Sequence, residues 1–442
     1  MDFIRGIIGI ITILAIAYLF SRNRKAVKPK IIINGLLIQL TLALFILKGE
    51  YLASLWAPLG WPKLVFKYLS GFFVWVVKFT AEGAKFIFGP LALGPGQENS
   101  LGMIFAFQVL PIIIFFAALT SILYYYGVLQ KIVSLMAKGM QKLLGISGAE
   151  SLSVVSNIFI GQTEAPLVIK PYIAGMTKSE LLAVMTGGMA TIAGSVMAAY
   201  VQLLGSSYAE AQQITLEAAQ LLFAEQLLGA SVMAAPAALV IAKILVPETE
   251  VPETAGGAKI ELERKDANVI DAAASGAGLG LKLAANVGGM LLAFVALLAM
   301  VNSIFGWFGE LTTLDQLIGQ PLSFQLVMGW LFAPIAFLVG VPWVDAVSFG
   351  TLIGSKISIN EFIAYLELSD LISAGSLQPK TVVMATFALC GFANFSSIAI
   401  QIGGIGPMAP NKKSQIAALG LFAVLGGSLA NLMTATIAGM MF

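Results

Sequence analysis

Residues 149–173 read AESLSVVSNIFIGQTEAPLVIKPYI, and the middle of this stretch decides the fold. Apolar sequence on both sides is long enough to enter a bilayer, yet Asn157-Ile158-Phe159-Ile160-Gly161-Gln162-Thr163-Glu164-Ala165-Pro166 interrupts it with an amide, a hydroxyl and a carboxylate in a row. Gly161 can break a helix, and Pro166 suits the first turn of the next one. A glutamate is expensive to bury in lipid and needs a partner or a polar cavity. Two half-helices that enter and leave on the same side satisfy both demands, because irregular backbone is tolerated at membrane depth only inside protein. A helix N-terminus at Thr163–Pro166 would point N–H groups into that cavity. An exposed surface turn is the bland alternative, and the flanking half-helices are too apolar for it. A second run, 341–368, is broken the same way around Gly354-Ser355-Lys356 and Ile359-Asn360-Glu361-Phe362.

The rest of the chain places these hairpins in a membrane. Of 442 residues 58% are hydrophobic and 11% charged, with mean hydropathy +0.91. A soluble domain is about 45–50% apolar and about 25% charged, so a soluble enzyme is excluded. The 25 basic and 23 acidic residues leave +2, which is no footprint for nucleic acid. One cysteine and no histidine exclude disulfide frameworks, zinc sites and imidazole chemistry.

Runs able to span lie at about 3–20, 32–48, 101–127, 178–204, 219–245, 284–305, 378–402 and 414–440. The first is read as a retained anchor, because its basic cluster (Arg22, Arg24, Lys25, Lys28, Lys30) follows the apolar run instead of preceding it. Residues 131–144 and 63–85 carry spaced lysines and read as helices lying in the interface plane. The expected fold is all-α and polytopic: eight transmembrane helices, two re-entrant hairpins, interfacial helices, and inverted repeats with discontinuous helices. Both termini then lie outside. The inner loops 21–31, 128–148, 170–178, 246–280 and 405–413 hold most lysines and arginines, whereas 205–218 and 306–320 hold Glu210, Glu217, Glu310 and Asp315 with no base. Segment 49–100 objects, being placed outside with Lys63, Lys67, Lys78 and Lys85. The proline-bearing stretch 247–268 reads as a linker between halves. Four units are expected: N-terminal scaffold helices at 1–127, a first transport unit at 128–245, a linker and scaffold helix at 246–320, and a second transport unit at 321–442.

Each hairpin precedes a span with small polar residues at its centre. The first holds Thr191, Gly194 and Ser195; the second holds Gly391, Asn394, Ser396 and Ser397. Hairpin plus interrupted span, repeated from the opposite face, is the pattern of secondary transporters. Glycine and hydroxyls at 190–196 allow unwinding, and the freed carbonyls plus a hydroxyl make a hard-oxygen site suited to Na+. Ordinary close packing of small residues is the alternative there, and helix–helix hydrogen bonding is the alternative for Asn394 and the serines. A structural ion pair between Lys356 and Glu361 is the bland reading of the second hairpin, although a spacing of five is poor on one helix.

Gly161-Gln162-Thr163-Glu164-Ala165-Pro166-Leu167, Asn360-Glu361-Phe362 and Gly391-Phe392-Ala393-Asn394-Phe395-Ser396-Ser397-Ile398-Ala399 resemble the recurrent motifs of the concentrative nucleoside transporter family. Phe107-Gln108-Val109-Leu110-Pro111 through Tyr124-Tyr125 is similar to its third span, and the resemblance covers about 100–442 well and the first 100 residues in outline. It implies a homotrimer in which each protomer carries a mobile transport domain against a scaffold. It also implies that Gln162, Thr163 and Glu164 bond the nucleobase with Val196 packed on it. Glu361, Asn394 and Ser397 would hold the ribose hydroxyls beside Phe392. Sodium would be held by backbone oxygens of Asn157, Ile160 and Ile192 and by the hydroxyl and carbonyl of Thr191. The family commonly has serine at this last position; the hydroxyl is kept and a methyl added.

The chemistry suits a nucleoside on its own terms. The substrate is uncharged, with a flat base and a hydroxylated ribose, and carboxylate and amide acceptors at two hairpins can take its donors. An anionic substrate would want arginine at mid-membrane, where there is none. The expected function is sodium-driven nucleoside import by alternating access, without an enzymatic cofactor, in the bacterial inner membrane, with the lipid bilayer, the nucleoside and Na+ as partners. A proton-coupled symporter of the same fold is the alternative, since Glu164 or Glu361 could carry a proton. An ion channel would need a continuous polar pore. An intramembrane hydrolase would need a nucleophile–base pair or metal-ligand spacing, and the chain offers neither.

Overall fold

A computed structural model describes residues 2–94, 97–258 and 266–442, and part of the expected linker, 259–265, lies outside them. Among the described residues there is helix and no strand. In chain order the α-helices begin with α1 (Asp2–Leu19), α2 (Pro29–Leu47), α3 (Gly49–Leu55), α4 (Trp61–Phe88) and α5 (Phe105–Gln108). Next come α6 (Leu110–Tyr125), α7 (Val128–Leu144), α8 (Gly148–Ser156), α9 (Lys170–Ile173), α10 (Lys178–Ala190), α11 (Gly194–Gln212) and α12 (Leu216–Leu245). The second half holds α13 (Val269–Leu311), α14 (Leu314–Ile318), α15 (Phe324–Leu338), α16 (Ala346–Ser358), α17 (Glu361–Ser373), α18 (Pro379–Leu389), α19 (Phe395–Ile405) and α20 (Lys413–Met440).

Eight stretches among the described residues are long and apolar enough to cross a membrane. Seven match expected spans. The eighth is 57–92, built around the 28-residue α4, so its expected placement in the interface plane rests on its four lysines and not on its length. The run at 378–402 is two short helices, α18 and α19, with a break between them. The span from 178 breaks likewise between α10 and α11. The run at 284–305 is the middle of α13, whose 43 residues reach about 65 Å at 1.5 Å per residue, twice the hydrocarbon thickness, so it tilts or projects.

Local sequence explains where the first hairpin and the first broken span begin. Ser147 and Thr177 each accept from the backbone of a glutamate three residues on, Glu150 and Glu180, whose side chain returns the bond. These two capping boxes fix the starts of α8 and α10.

The loops expected on the inner side gather at one end. Arg22 N donates to Leu245 O at 2.9 Å, Asn34 Nδ2 to Leu143 O at 2.6 Å, and Lys412 Nζ to Met176 O at 2.8 Å. At the other end Lys380 meets Asp2 at 2.5 Å. Two of the four lysines that raise the objection in 49–100 meet acids of α12: Lys63 pairs with Glu225, and Lys78 with Glu217 at 3.0 Å.

Packing divides the molecule. α10, α12, α18 and α20 form a buried core; α1 lies on α20, and α2 on α12. α6 pairs instead with α13. That contact depends on missing side chains: a Cβ on Gly280 would lie 2.7 Å from Ile114 Cα, and one on Gly276 2.7 Å from Ala117 O. A small residue every fourth position lets the two backbones touch, as helices in lipid do. The remaining faces of α13 are exposed and apolar.

Candidate functional site

The two hairpins and the two broken spans meet at their irregular segments. In the first hairpin α8 ends at Ser156, residues 157–164 turn, and the return arm is helical, a 3-10 helix at Ala165–Ile169 that runs directly into α9. Phe159 O accepts from Gly194 N at 3.2 Å, which joins the turn to the start of α11. In the second hairpin Asn360 caps α17 by accepting from Ile363 N at 2.9 Å, which places Glu361 in the first turn of that helix. The positive end of α17 favours a carboxylate there.

Asn394 organises the second break. Its Oδ1 accepts from Ser397 N at 2.9 Å and Ser396 Oγ at 2.7 Å, capping α19, while its Nδ2 donates to Glu361 Oε2 at 2.9 Å. Tyr200 OH donates to Glu361 Oε1 at 3.4 Å, and its ring stacks on Tyr365 at 4.1 Å. Gln162 Nε2 donates to Ser397 Oγ at 3.2 Å, and Gln162 Oε1 accepts from Gln401 Nε2 at 3.0 Å. Gln401 also donates to Met185 O at 2.9 Å. Each hairpin is thereby bonded to the broken span of the other unit: Gln162 to α19, and Glu361 to Tyr200 of α11.

Four of the predicted substrate residues, Gln162, Glu361, Asn394 and Ser397, are thus brought into one buried polar group. Val196 is buried in the first turn of α11, and Phe392 is half-buried in the second break. Glu164 is exposed and Thr163 half-buried on the same loop as Gln162; among the described residues no hydrogen bond links them to Glu361. Their turn is tight, with Glu164 N donating to Gly161 O at 3.1 Å.

The predicted sodium residues lie on the turn of hairpin 1 and on the first break. Asn157 Nδ2 donates to Ser153 O at 3.0 Å, and its buried Oδ1 has no hydrogen-bond partner among the described residues. Thr191 Oγ1 donates its proton to Gly187 O at 2.9 Å, leaving its lone pairs free. Among the described residues the carbonyls of Asn157, Ile160, Thr191 and Ile192 accept no backbone hydrogen bond.

Sequence reading missed Tyr200, Gln401 and Asn431. The signal was present for two of them: Gln401 interrupts the apolar stretch IAIQIGGI at 398–405, and Asn431 stands in the last span. The ion pair considered for Lys356 and Glu361 is absent among the described residues. Lys356 Nζ donates instead to Ala388 O at 2.9 Å and Asn431 Oδ1 at 2.7 Å.

Comparison with known proteins identifies the family. Models described as the N-terminus and the C-terminus of Na+ dependent nucleoside transporters match residues 8–91 and 226–439, and a model described as nucleoside recognition matches 106–207. The transporter YutK of Bacillus subtilis is 44% identical over all of both chains. The nucleoside permease NupC of Helicobacter pylori is 40% identical over 98% of this chain and 97% of its own. The structure of CNTnw in an inward-facing substrate-bound state superposes with a TM-score of 0.85 at 42% identity, covering 100% of this chain and 98% of that one. A variant of CNTnw in an outward-facing state gives 0.86 at 41% identity with the same coverage. These relatives are transporters, not enzymes, and the chain belongs with them to the Na+ dependent, or concentrative, nucleoside transporter family as a membrane nucleoside transporter.

Proposed function

We propose that the protein imports nucleosides against their gradient by symport with sodium, across the bacterial inner membrane. The observation that carries this reading is the buried group Gln162–Ser397 and Asn394–Glu361 at the junction of two hairpins and two broken spans. Such a group can take a neutral, donor-rich ligand without a counter-charge. Glu361, Asn394 and Ser397 hold the ribose hydroxyls beside Phe392. Gln162, Thr163 and Glu164 read the base, which rests on Val196. A pocket built to bond hydroxyls rejects analogues lacking them far more strongly than an apolar pocket would.

Sodium binds at the turn of hairpin 1 and the first break. The open carbonyls of Asn157, Ile160, Thr191 and Ile192, the Thr191 hydroxyl and the unpartnered Asn157 Oδ1 are the hard oxygens this cation takes. Sodium orders the loop that carries Gln162, so nucleoside binds better afterwards and the two gradients are linked. The moving body comprises the two hairpins and broken spans with α12 and α20. It moves against a scaffold formed by the helices of 1–127 together with α13. The apolar face of α13 left bare in one protomer is what a homotrimer would cover.

Labelled uridine and adenosine uptake into proteoliposomes, with a sodium gradient and with choline in its place at fixed pH, tests the proposal. Saturable uptake that requires sodium is expected. Undiminished transport in choline would transfer the coupling role to protons.

A further inference from the structure

Lys356 is 1% exposed, and the substrate reading gives it no task. It lies in the last turn of α16, and none of the ion pairs among the described residues includes it. Its two acceptors are a carbonyl and an amide oxygen: Ala388 O, one residue before the end of α18, and Asn431 Oδ1 on α20. The ammonium therefore sits where the C-terminal ends of two half-helices converge, each presenting the negative pole of its peptide dipoles. A buried charge without such a setting would be strongly destabilising.

The first unit has a matching place. There α10 ends at Ala190, next to Thr191, one of the residues assigned to sodium above. Asn431 joins the two places. Its Oδ1 accepts from Lys356, and its Nδ2 donates to Ala190 O at 2.7 Å. The two breaks also lie back to back, since a Cβ on Gly391 would fall 2.6 Å from Ala190 O and Met189 O.

We propose that the Lys356 ammonium is a tethered cation, which gathers the C-terminal carbonyl end of the second broken span as a free sodium ion does in the first unit, and that Asn431 links the two cation positions. The comparison with sodium rests on the reading given under Proposed function; the need for a cation at Lys356 does not. The second unit carries its cation as part of the chain, and removing that charge leaves an unfilled cation position beside the ribose site.

The test is uridine uptake by the full-length protein in proteoliposomes at saturating NaCl, using variants that elute as monodisperse protein. Lys356→Met, which keeps the length and loses the charge, is expected to fall about tenfold or more, because it removes two charge-assisted hydrogen bonds. Lys356→Arg is expected to retain more activity than Lys356→Met. Lys356→Ala is expected to regain uptake in millimolar ethylammonium, which carries N–H donors, but not in tetramethylammonium, which has none. Asn431→Leu is expected to raise the sodium concentration for half-maximal uptake by about threefold or more, a modest coupling energy. Wild-type uptake in Lys356→Met overturns the proposal. So does equal loss in Lys356→Met and Lys356→Arg with no ethylammonium rescue, which marks a packing role. An unchanged sodium curve in Asn431→Leu removes the link, and that variant decides alone if no Lys356 variant is monodisperse. Choline replacement in the wild type reports on the sodium reading separately.

Discussion

Asn394 donates to Glu361 across 2.9 Å from the only end of its amide that is free, because its oxygen is already committed to capping α19. The geometry fixes the sense of the bond. One carboxylate oxygen is held by Asn394, and the other faces Tyr200 at 3.4 Å, a long contact that a ligand hydroxyl can replace. The second hairpin and the second broken span therefore present one rigid acceptor, the group assigned to the ribose in the proposed function.

Glu361→Gln removes that acceptor's charge and leaves an NH2 to compete with Asn394. A hydrogen bond to a charged group contributes about 1.5–3 kcal/mol, so nucleoside affinity should fall about ten- to a hundredfold. The measurement is uridine KM in proteoliposomes beside the thermal unfolding midpoint. A wild-type KM would make the residue structural.

Thr191→Ala deletes a hydroxyl that donates to Gly187 O and has lone pairs to spare. The expected result is an apparent sodium affinity weakened about fivefold, with nucleoside affinity at saturating sodium changed by much less. Thr191→Ser should behave as wild type, since only the methyl is lost. Sodium activation curves for the three proteins decide it, and equal loss of both affinities would indicate packing.

Gly391 stands at φ +112°, where its missing side chain lets the two breaks touch. Gly391→Ala faces both a strained backbone and a contact at 2.6 Å with the Ala190 carbonyl. A loss of about 2 kcal/mol or more is expected, read as a lower unfolding midpoint in detergent. An unshifted midpoint would show that the breaks can part without cost.

Much of this site is legible in the sequence, for a physical reason. Hydrogen-bonding side chains inside apolar runs are too costly to be incidental, so Gln162, Glu361, Asn394 and Ser397 stand out from the order of residues alone. Breaks at 191–193 and 390–394 are legible for the same reason, since glycine beside hydroxyls weakens a helix in lipid. The partners are not legible. Nothing in the spacing of Gln162 and Gln401 says that they meet, because that contact depends on how the two repeats cross. Lys356 misleads because a nearby glutamate invites an ion pair, whereas the turn of hairpin 2 sends the lysine back toward α18 and Asn431. That α1 packs on α20 and α2 on α12 is a tertiary fact that hydropathy does not carry.

The end where the basic loops gather supplies a last test. Lys243 is 4% exposed and lies 2.7 Å from Glu150 and 3.4 Å from Glu248, with Ser179 Oγ accepting a hydrogen bond at 3.0 Å. Glu150 is 1% exposed and also closes the capping box of α8. The trio therefore ties the end of α12 to the root of the first hairpin. Lys243→Met leaves two carboxylates facing each other with no cation, and breaking a buried pair in this way costs about 3–5 kcal/mol. The unfolding midpoint should fall steeply, and adding Glu150→Gln should restore part of it, because the unpaired buried charge is then removed while an amide can still serve the cap. A single variant as stable as the wild type, or a double variant less stable than the single one, would mean that the hairpin root is held by the backbone caps alone.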